Sequence, residues 1–322
     1  MGSLVNKKSI LIIVICVIAV GIFVRAMLLH IPDLKDYNAQ KVYAQKVENE
    51  ASQASQWIFF SPNLFIGELL KHTVGVNSWQ KSLEASEYLL KKYPEQANDD
   101  VDVFGWLGDS YDALKKPEKA REAYQKQLEI FKRKYYKKQY FERRKLSDEQ
   151  ALIEEVRYVI RAHFNIARTY NTQKKWKEAL AEYDKTITYI DDLKDIRPIL
   201  IYDIFQSPFK SRGKILKCVY KDYDGAVKNY ELMKAKIPDS MAASTADIFI
   251  GDTYLAKGDI EKAKEIYKQV VDEYKNRPIP HERGNYDVAE GRLRELEQGK
   301  KIIAADGVSY EIKDGKVEVR YW

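Results

Sequence analysis

Small and aromatic residues recur along the chain at fixed intervals. A small residue, a tyrosine three positions on, an alanine nine positions after that and a tyrosine four positions later occur three times: Gly108, Tyr111, Ala120 and Tyr124; Ala167, Tyr170, Ala179 and Tyr183; Gly251, Tyr254, Ala263 and Tyr267. These intervals fit one face of each of two helices, and Lys115-Lys116-Pro117 suits a tight turn between them. The pattern predicts antiparallel helical hairpins in which small residues let two backbones approach.

A single hairpin of this kind cannot bury its own apolar face, so neighbouring hairpins must stack into a solenoid. The pattern resembles the tetratricopeptide repeat, whose period is about 34 residues. We predict an all-α fold, an α-solenoid of five hairpins at residues 63–96, 101–134, 160–193, 207–240 and 244–277. In the fourth hairpin Lys214 and Lys217 stand where a small residue and a tyrosine are expected, and Gly213 suggests a shift of one residue.

An apolar run at residues 9–31 is interrupted only by Arg25 and His30. As a helix it would be about 34 Å long, enough to cross a bilayer. A cleaved signal peptide is the alternative, but the run lacks a good cleavage site. We predict an uncleaved single-pass anchor, with the bulk of the chain outside the membrane and periplasmic in a bacterium.

The predicted domains are a tail and anchor at 1–31, a helical stalk at 32–60, the solenoid at 61–300 and a β-hairpin at 301–322. In the last segment apolar residues alternate around the turn Asp314-Gly315, which would pair Ile312 with Val317 and Tyr310 with Val319. Residues 302–305 are a candidate third strand. Because a lone hairpin is marginally stable in water, the solenoid or a partner must cover its apolar face.

About 25 extra residues lie near 130–160, with Ser147 and Gln150 spaced as a capping box. We expect them to lengthen two adjacent helices into a protruding hairpin. Its first arm, residues 132–145, is strongly basic. It is either a solvated face or an arm that docks onto an acidic protein or lipid surface through Lys137, Lys138, Arg143 and Arg144. A second insert, residues 195–206, is apolar enough to pack on the solenoid or to line a partner interface.

The sequence contains no phosphate-binding glycine loop, nucleophile elbow or paired-histidine zinc motif. The four histidines lack partners at metal-ligand spacing, so we predict no catalytic, cofactor or metal site. A net charge of +6 does not by itself imply nucleic-acid binding. No aromatic-rich RNA-binding motif or zinc-finger spacing accompanies it, so we predict no nucleic-acid partner. By resemblance, Asn165 and Arg212 occupy two of the five columns of a carboxylate clamp. The other three lack the required lysine or asparagine, which argues against that activity.

In the family that the chain resembles, the first helices of successive hairpins line a concave groove. We predict that a partner polypeptide binds there, at an acidic end, a basic middle and an apolar end: Asp109 and Asp112; Phe164, Asn165, Arg168 and Arg212; Ile248, Phe249 and Asp252. A mixed surface of this kind suits a protein segment better than a small metabolite. The competing prediction is that the second insert or the tail hairpin fills the groove.

The leading functional hypothesis is a membrane-anchored, non-catalytic scaffold, a subunit or recruiter of a membrane or periplasmic complex. It would bind protein partners and the lipid bilayer, the latter through residues 9–31. The alternative is an assembly factor or chaperone-like receptor that holds clients transiently. An enzyme with an unrecognised site is a third, disfavoured hypothesis.

Overall fold

The computed structural model describes residues 31–34, 36–59, 76–133, 142, 145–189, 202–237, 241–275 and 280–321. The predicted anchor at 9–31, apart from its last residue, lies outside these ranges, as do Lys137, Lys138, Arg143 and Arg144. Within the described ranges, no helix combines the length and the apolar character that crossing a bilayer requires.

Twelve α-helices and three short strands form within the described ranges. The helices are α1 (Tyr37–Phe59), α2 (Val76–Lys92), α3 (Pro94–Ala97), α4 (Val101–Ala113), α5 (Pro117–Lys132), α6 (Asp148–Thr172), α7 (Trp176–Thr188), α8 (Tyr202–Lys214), α9 (Tyr223–Lys236), α10 (Met241–Lys257), α11 (Ile260–Tyr274) and α12 (Pro280–Glu297). The strands are β1 (Ile302–Ile303), β2 (Ser309–Lys313) and β3 (Lys316–Arg320). The chain divides into two compact units, residues 1–139 and 140–322.

The segment predicted to be a stalk is helix α1, and it is part of the first unit. α1 packs against α2 and buries Ala44, Val47 and Ala51. Lys41 of α1 pairs with Asp100, the residue that caps α4, at 2.7 Å. Its alanine-rich apolar face is therefore a packing face.

Four hairpins follow the predicted spacing: α4–α5, α6–α7, α8–α9 and α10–α11, which we number two to five. In each, the tyrosine of the second helix is fully buried against the small residue of the first: Tyr124, Tyr183, Tyr230 and Tyr267. A Cβ atom added to Gly108 would lie 2.3 Å from Cε1 of Tyr124, and one added to Gly251 would lie 2.5 Å from Cε1 of Tyr267. The glycines are therefore required by the close approach of the two helices.

Hairpin four contains one extra residue. Gly213 precedes its packed tyrosine, Tyr230, by 17 residues, whereas the interval is 16 in the other three hairpins. The extra residue is accommodated where α8 continues into a π-helical turn, Ile215–Tyr220, whose hydrogen bonds span one more residue than those of an α-helix. The one-residue shift that Gly213 suggested in the sequence has this origin.

The first insert lengthens only one of the two helices that were predicted to extend. The capping box of Ser147 and Gln150 is present and begins the 25-residue helix α6. α5, however, ends at Lys132, because Arg133 adopts an extended conformation with a ψ of 121°. α8 begins at Tyr202, before the predicted start of the fourth hairpin at residue 207, so Pro208 lies inside the helix.

The strands form one antiparallel sheet in the order β1-β2-β3. The predicted pairs Tyr310–Val319 and Ile312–Val317 are present, and Ile302 pairs with Tyr310 as part of the third strand. Tyr310 is 1% exposed, so the apolar side of the sheet is covered. The solenoid, in its second unit, provides that cover, because β3 packs against α10 and β1 against α12.

Candidate partner-binding groove

One face of each first helix is defined by its position relative to the small residue of the hairpin. Residues three before, one after and four after that residue lie at i, i+4 and i+7 and so share a helix face. We call this the groove face: Gly105, Asp109 and Asp112 of α4; Phe164, Arg168 and Asn171 of α6; Lys210, Lys214 and Lys217 of α8 and its π-helical turn; Ile248, Asp252 and Leu255 of α10.

The protein's own C-terminal sheet covers the groove face of α10. Ile248 and Leu255 belong to the same buried cluster as Ile302 and Tyr310 of the sheet and Val308, which precedes β2. The apolar end of the predicted groove is therefore filled from within the chain. For hairpin five, the structure thus agrees with the competing prediction, in which the tail hairpin fills the groove.

A buried ion pair holds the sheet on hairpin four. Lys217 Nζ lies 2.8 Å from Asp306 Oδ2, and both side chains are essentially unexposed. The Lys214 ammonium donates a hydrogen bond of 2.8 Å to the backbone carbonyl of Asp306. Burial alone would lower the pKa of Lys217, but the Asp306 carboxylate raises it above its ordinary value. Burial opposes ionisation of Asp306 too, yet Lys217 holds the pKa of that carboxyl below its usual range.

A second buried charge cluster joins α10, α12 and the sheet. The Tyr267 hydroxyl donates a hydrogen bond of 2.6 Å to Asp252 Oδ1, and Arg292 Nε lies 3.5 Å from the same oxygen. Arg292 also donates a hydrogen bond of 2.8 Å to the backbone carbonyl of Ile303 in β1. Burial raises the pKa of Asp252, and the nearby Arg292 does not fully offset this. Asp252 therefore has a structural role in attaching the sheet.

On α4 and α6, the groove face is partly exposed to solvent. In the first unit, Asp109 and Asp112 of α4 are partly exposed, and the Tyr124 hydroxyl donates a hydrogen bond of 2.7 Å to Asp109 Oδ1. In the second unit, Phe164 and Arg168 of α6 are also partly exposed. These four predicted partner-binding residues all lie on the groove face.

Two other predicted partner-binding residues point elsewhere. Asn165 and Phe249 stand two positions before the small residue, and both are buried. Phe249 stacks on Tyr230, with ring centroids 5.1 Å apart, in the core between hairpins four and five. One residue corresponds to a rotation of about 100° around a helix, so neighbours of groove residues face the core. The prediction that these two side chains line the groove is corrected accordingly.

Arg212 also lies off the groove face. It stands one position before Gly213, in the column that Leu107, Ile166 and Ile250 fill with buried apolar side chains. Its guanidinium donates hydrogen bonds to Asp184 on α7, at 2.7 Å, and to Asn229 on α9, at 3.1 Å. Arg212 therefore bridges the second helices of hairpins three and four.

Sequence reasoning missed three basic residues of the groove face: Lys210, Lys214 and Lys217. Their signal was Gly213, because counting from that glycine brings all three onto one face. The contact between Lys214 and Asp306, by contrast, joins residues 92 positions apart and leaves no local pattern.

The described residues offer little sign of reaction chemistry. His163 Nδ1 lies 2.8 Å from Glu182 Oε2, and its ring stacks on Tyr189 within the helix packing. Among the described residues, no three histidine, cysteine or acidic side chains are arranged to hold a metal ion.

Comparison with known proteins identifies the repeats. Residues 101–133 and 248–277, which fall on hairpins two and five, match the family model of the tetratricopeptide repeat. Hairpins two and five match this repeat, which confirms the resemblance that the sequence predicted. This fold is a scaffold for protein–protein interaction, and proteins built from it are generally non-catalytic.

Three solved structures illustrate the fold comparison. A putative kinesin light chain of Podosopora anserina with nearly identical repeats is 13% identical, with a TM-score of 0.45 over 73% of this chain and 99% of that one. BtubC (BKLC) from P. vanneervenii is 18% identical, with a TM-score of 0.43 over 83% and 94%. Yeast Tom70 is 15% identical, with a TM-score of 0.32 over 82% and 56%. No curated protein matches the sequence.

Proposed function

We propose that the protein is a membrane-anchored, non-catalytic scaffold that binds a partner polypeptide on its groove face, as a subunit or recruiter of a membrane complex. The observation that carries the proposal is the position of the C-terminal sheet. The groove face of α10 binds a segment of the protein's own chain, and the same face of α6 presents Phe164 and Arg168 partly exposed. A surface suited to polypeptide is thus available on hairpin three, two hairpins away from the one that the sheet occupies.

Affinity purification from gently solubilised membranes tests the proposal. A partner should co-purify at fixed stoichiometry with the wild-type chain, and Arg168→Glu should reduce its recovery. Lys177→Glu is the matched control, because it makes the same charge change at an exposed position on α7, outside the groove face. Equal recovery with both variants would argue against the groove face. Substoichiometric, changing clients would indicate an assembly factor instead.

Phe249→Ala does not serve as a binding probe, because Phe249 is a core residue. Truncating a buried phenylalanine costs about 3–5 kcal/mol of stability. Lost binding in that variant would report misfolding.

The membrane anchor is a separate part of the proposal. It is supported by the length and apolar character of residues 9–31. We expect the chain to resist carbonate extraction and to retain its amino terminus, with the bulk of the chain on the periplasmic side in a bacterium. A mature chain that begins after Gly21 would contradict the anchor.

The basic arm at residues 132–145 remains a second proposed contact. Its supporting observation is the charge of Lys137, Lys138, Arg143 and Arg144, which suits an acidic protein or lipid surface. Reversing these four residues to glutamate should weaken association, and raised salt should reproduce the effect. If neither treatment affects association, the arm is a solvated face that does not bind a partner.

A further inference from the structure

Several polar atoms buried beneath the C-terminal sheet have no hydrogen-bond partner among the described residues. Three of them are the hydroxyl oxygens of Tyr230 and Tyr310 and the Oδ2 atom of Asp252, in residues that are at most 1% exposed. An unpaired polar group in the interior lowers stability, so nearly all such groups are paired with protein atoms or with ordered water. Each of the three atoms therefore indicates a partner that the described side chains do not supply.

The sequence of hairpin four explains why the Tyr230 hydroxyl is unpaired. In hairpins two and five, the buried tyrosine donates to an aspartate one position after the small residue. In hairpin four that position is Lys214, whose ammonium can donate hydrogen bonds but cannot accept them. Tyr230 therefore lies against Gly213 without the acceptor that the equivalent tyrosines have.

The Lys217 ammonium brings further donors to the same part of the interior. It is fully buried and has three N–H donors, and its contact of 2.8 Å with Asp306 can use one of them. Its Nζ also lies 5.8 Å from the centroid of the Tyr310 ring. The donors that remain have no hydrogen-bond partner among the residues that the structure describes.

These side chains come from elements that pack together. The π-helical turn that carries Lys217 contacts α9 and α10, and α10 contacts the sheet. Burial raises the pKa of the Tyr230 hydroxyl, and four nearby side chains contribute to that pKa shift: Lys217, Asp306, Tyr310 and Asp252. The groups without partners are thus close to one another.

The unpaired atoms require a guest that both donates and accepts hydrogen bonds. The remaining donors of Lys217 need an acceptor, whereas Asp252 Oδ2 needs a donor, and a tyrosine hydroxyl serves as either. A halide ion accepts only, and a metal cation would meet the ammonium. The charges are also matched in pairs, because Lys217 contacts Asp306 and Arg292 Nε lies 3.5 Å from Asp252 Oδ1. A neutral guest fits this environment better than an ion does.

We infer that ordered water molecules, isolated from bulk solvent, bind beneath the sheet and bridge Tyr230, Tyr310, Asp252 and Lys217. Full burial of these four residues restricts the guest to a very small molecule. A buried water typically makes about three hydrogen bonds, which the four side chains can provide. Such waters would join α9, α10 and β2, so the sheet is positioned through water as well as through its apolar face. The site is independent of any partner on the groove face.

Removing each hydroxyl separately tests the water site. Tyr230→Phe and Tyr310→Phe should each lower the melting temperature of the full-length chain by about 2–4 °C, as the loss of one typical hydrogen bond does. Tyr267→Phe, which removes a direct hydrogen bond to Asp252, is the matched control and shows the loss that a paired hydroxyl causes. Removing an unpaired hydroxyl would instead leave the melting temperature unchanged or raise it.

A crystal structure of the full-length chain in detergent distinguishes water from the other ways of pairing these atoms. Density for water should lie within about 3 Å of both hydroxyl oxygens. Crystals soaked in rubidium bromide should show no anomalous peak at that position. Three results would overturn the inference: an unchanged or raised melting temperature in either variant at Tyr230 or Tyr310, direct contact of the hydroxyls with other side chains and no density between them, or an anomalous peak from a bound ion.

Discussion

Hairpins two and five have the same interior and different surroundings. Each packs a buried tyrosine on a glycine, and each donates the tyrosine hydroxyl to an aspartate one position after that glycine. Asp109 of hairpin two is partly exposed, whereas Asp252 of hairpin five is fully buried beneath the C-terminal sheet. The repeat therefore fixes the position of this carboxylate. Whether the carboxylate is exposed or buried depends on the segment that packs beside it.

The largest difference between the hairpins is expected for these two aspartates. Asp252→Ala leaves the buried Tyr267 hydroxyl without its acceptor and removes one of the two carboxylates beside Arg292, the other being Glu295, which should lower the free energy of unfolding by about 3 kcal/mol. Asp109→Ala loses the hydrogen bond from Tyr124 at a partly exposed site and should cost about 1 kcal/mol. Urea unfolding of the two variants measures both values. Equal losses would mean that the sheet does not isolate Asp252 from water.

Glycine substitutions should show that the interiors are alike. Gly108→Ala and Gly251→Ala each place a Cβ within 2.5 Å of a tyrosine ring, so each should cost about 1–3 kcal/mol. Gly291→Ala on α12 is the control, because a Cβ there meets no atom within 4 Å. That variant should gain up to about 1 kcal/mol from higher helix propensity. A loss at only one of the first two glycines would break the equivalence of the hairpins.

Lowering the pH should reduce stability less than these substitutions do, because protonation neutralises a carboxylate without removing its side chain. The pKa of Asp306 is lowered in the folded protein, so its contribution is present above the unfolded value of about 3.9 and is lost as pH falls through the folded value. The raised pKa of Asp252 acts in the opposite direction, since it relieves a penalty as pH falls.

Melting temperatures of the wild type and Asp306→Asn, followed from neutral to acidic pH, separate the two contributions. The wild type should lose stability more steeply below about pH 4 than the variant does. Asp287→Asn, at an exposed position on α12, should follow the wild type. Parallel curves for wild type and Asp306→Asn would contradict the assignment.

The smallest change in stability is expected from substitutions in the turns that join the two helices of a hairpin. Lys115 and Gly258 stand seven positions after the small residue of hairpins two and five, and both have positive φ, 60° and 89°. Left-handed backbone disfavours any residue with a Cβ, so Gly258→Ala should lower stability by about 1 kcal/mol, and Lys115→Gly should raise it by about 0.5 kcal/mol. Thermal melts measure both changes. A loss of stability in Lys115→Gly would show that contacts of the lysine side chain outweigh the strain of its left-handed backbone.

Sequence reasoning succeeded where the structure depends on residue spacing. The interval from Gly108 to Tyr124, the capping box at Ser147 and the strand pairing around Asp314-Gly315 each follow from local stereochemistry. The rotation of a helix about its axis is harder to predict, because an error of one residue moves a side chain by about 100°. Phe249 and Arg212 were placed in the groove for this reason.

Long-range packing left no signal in the sequence pattern. The apolar alternation of the tail showed that its face must be covered, but either the solenoid or a partner could have supplied the cover. Lys217 stood out in the sequence only as a departure from the repeat. Its partner Asp306 lies in the turn between two strands, and nothing in the spacing relates the two residues.

The Lys217–Asp306 pair also sets an order of events during synthesis. Lys217 leaves the ribosome 89 residues before Asp306, so hairpin four emerges with a lysine whose counter-ion has yet to be translated. Hairpins two and three contain their own tyrosine contacts and can close as they emerge, since folding on the ribosome proceeds from the amino terminus. Hairpin four has the same tyrosine contact, between Gly213 and Tyr230, but Lys217 cannot be buried with its counter-ion until Asp306 has emerged.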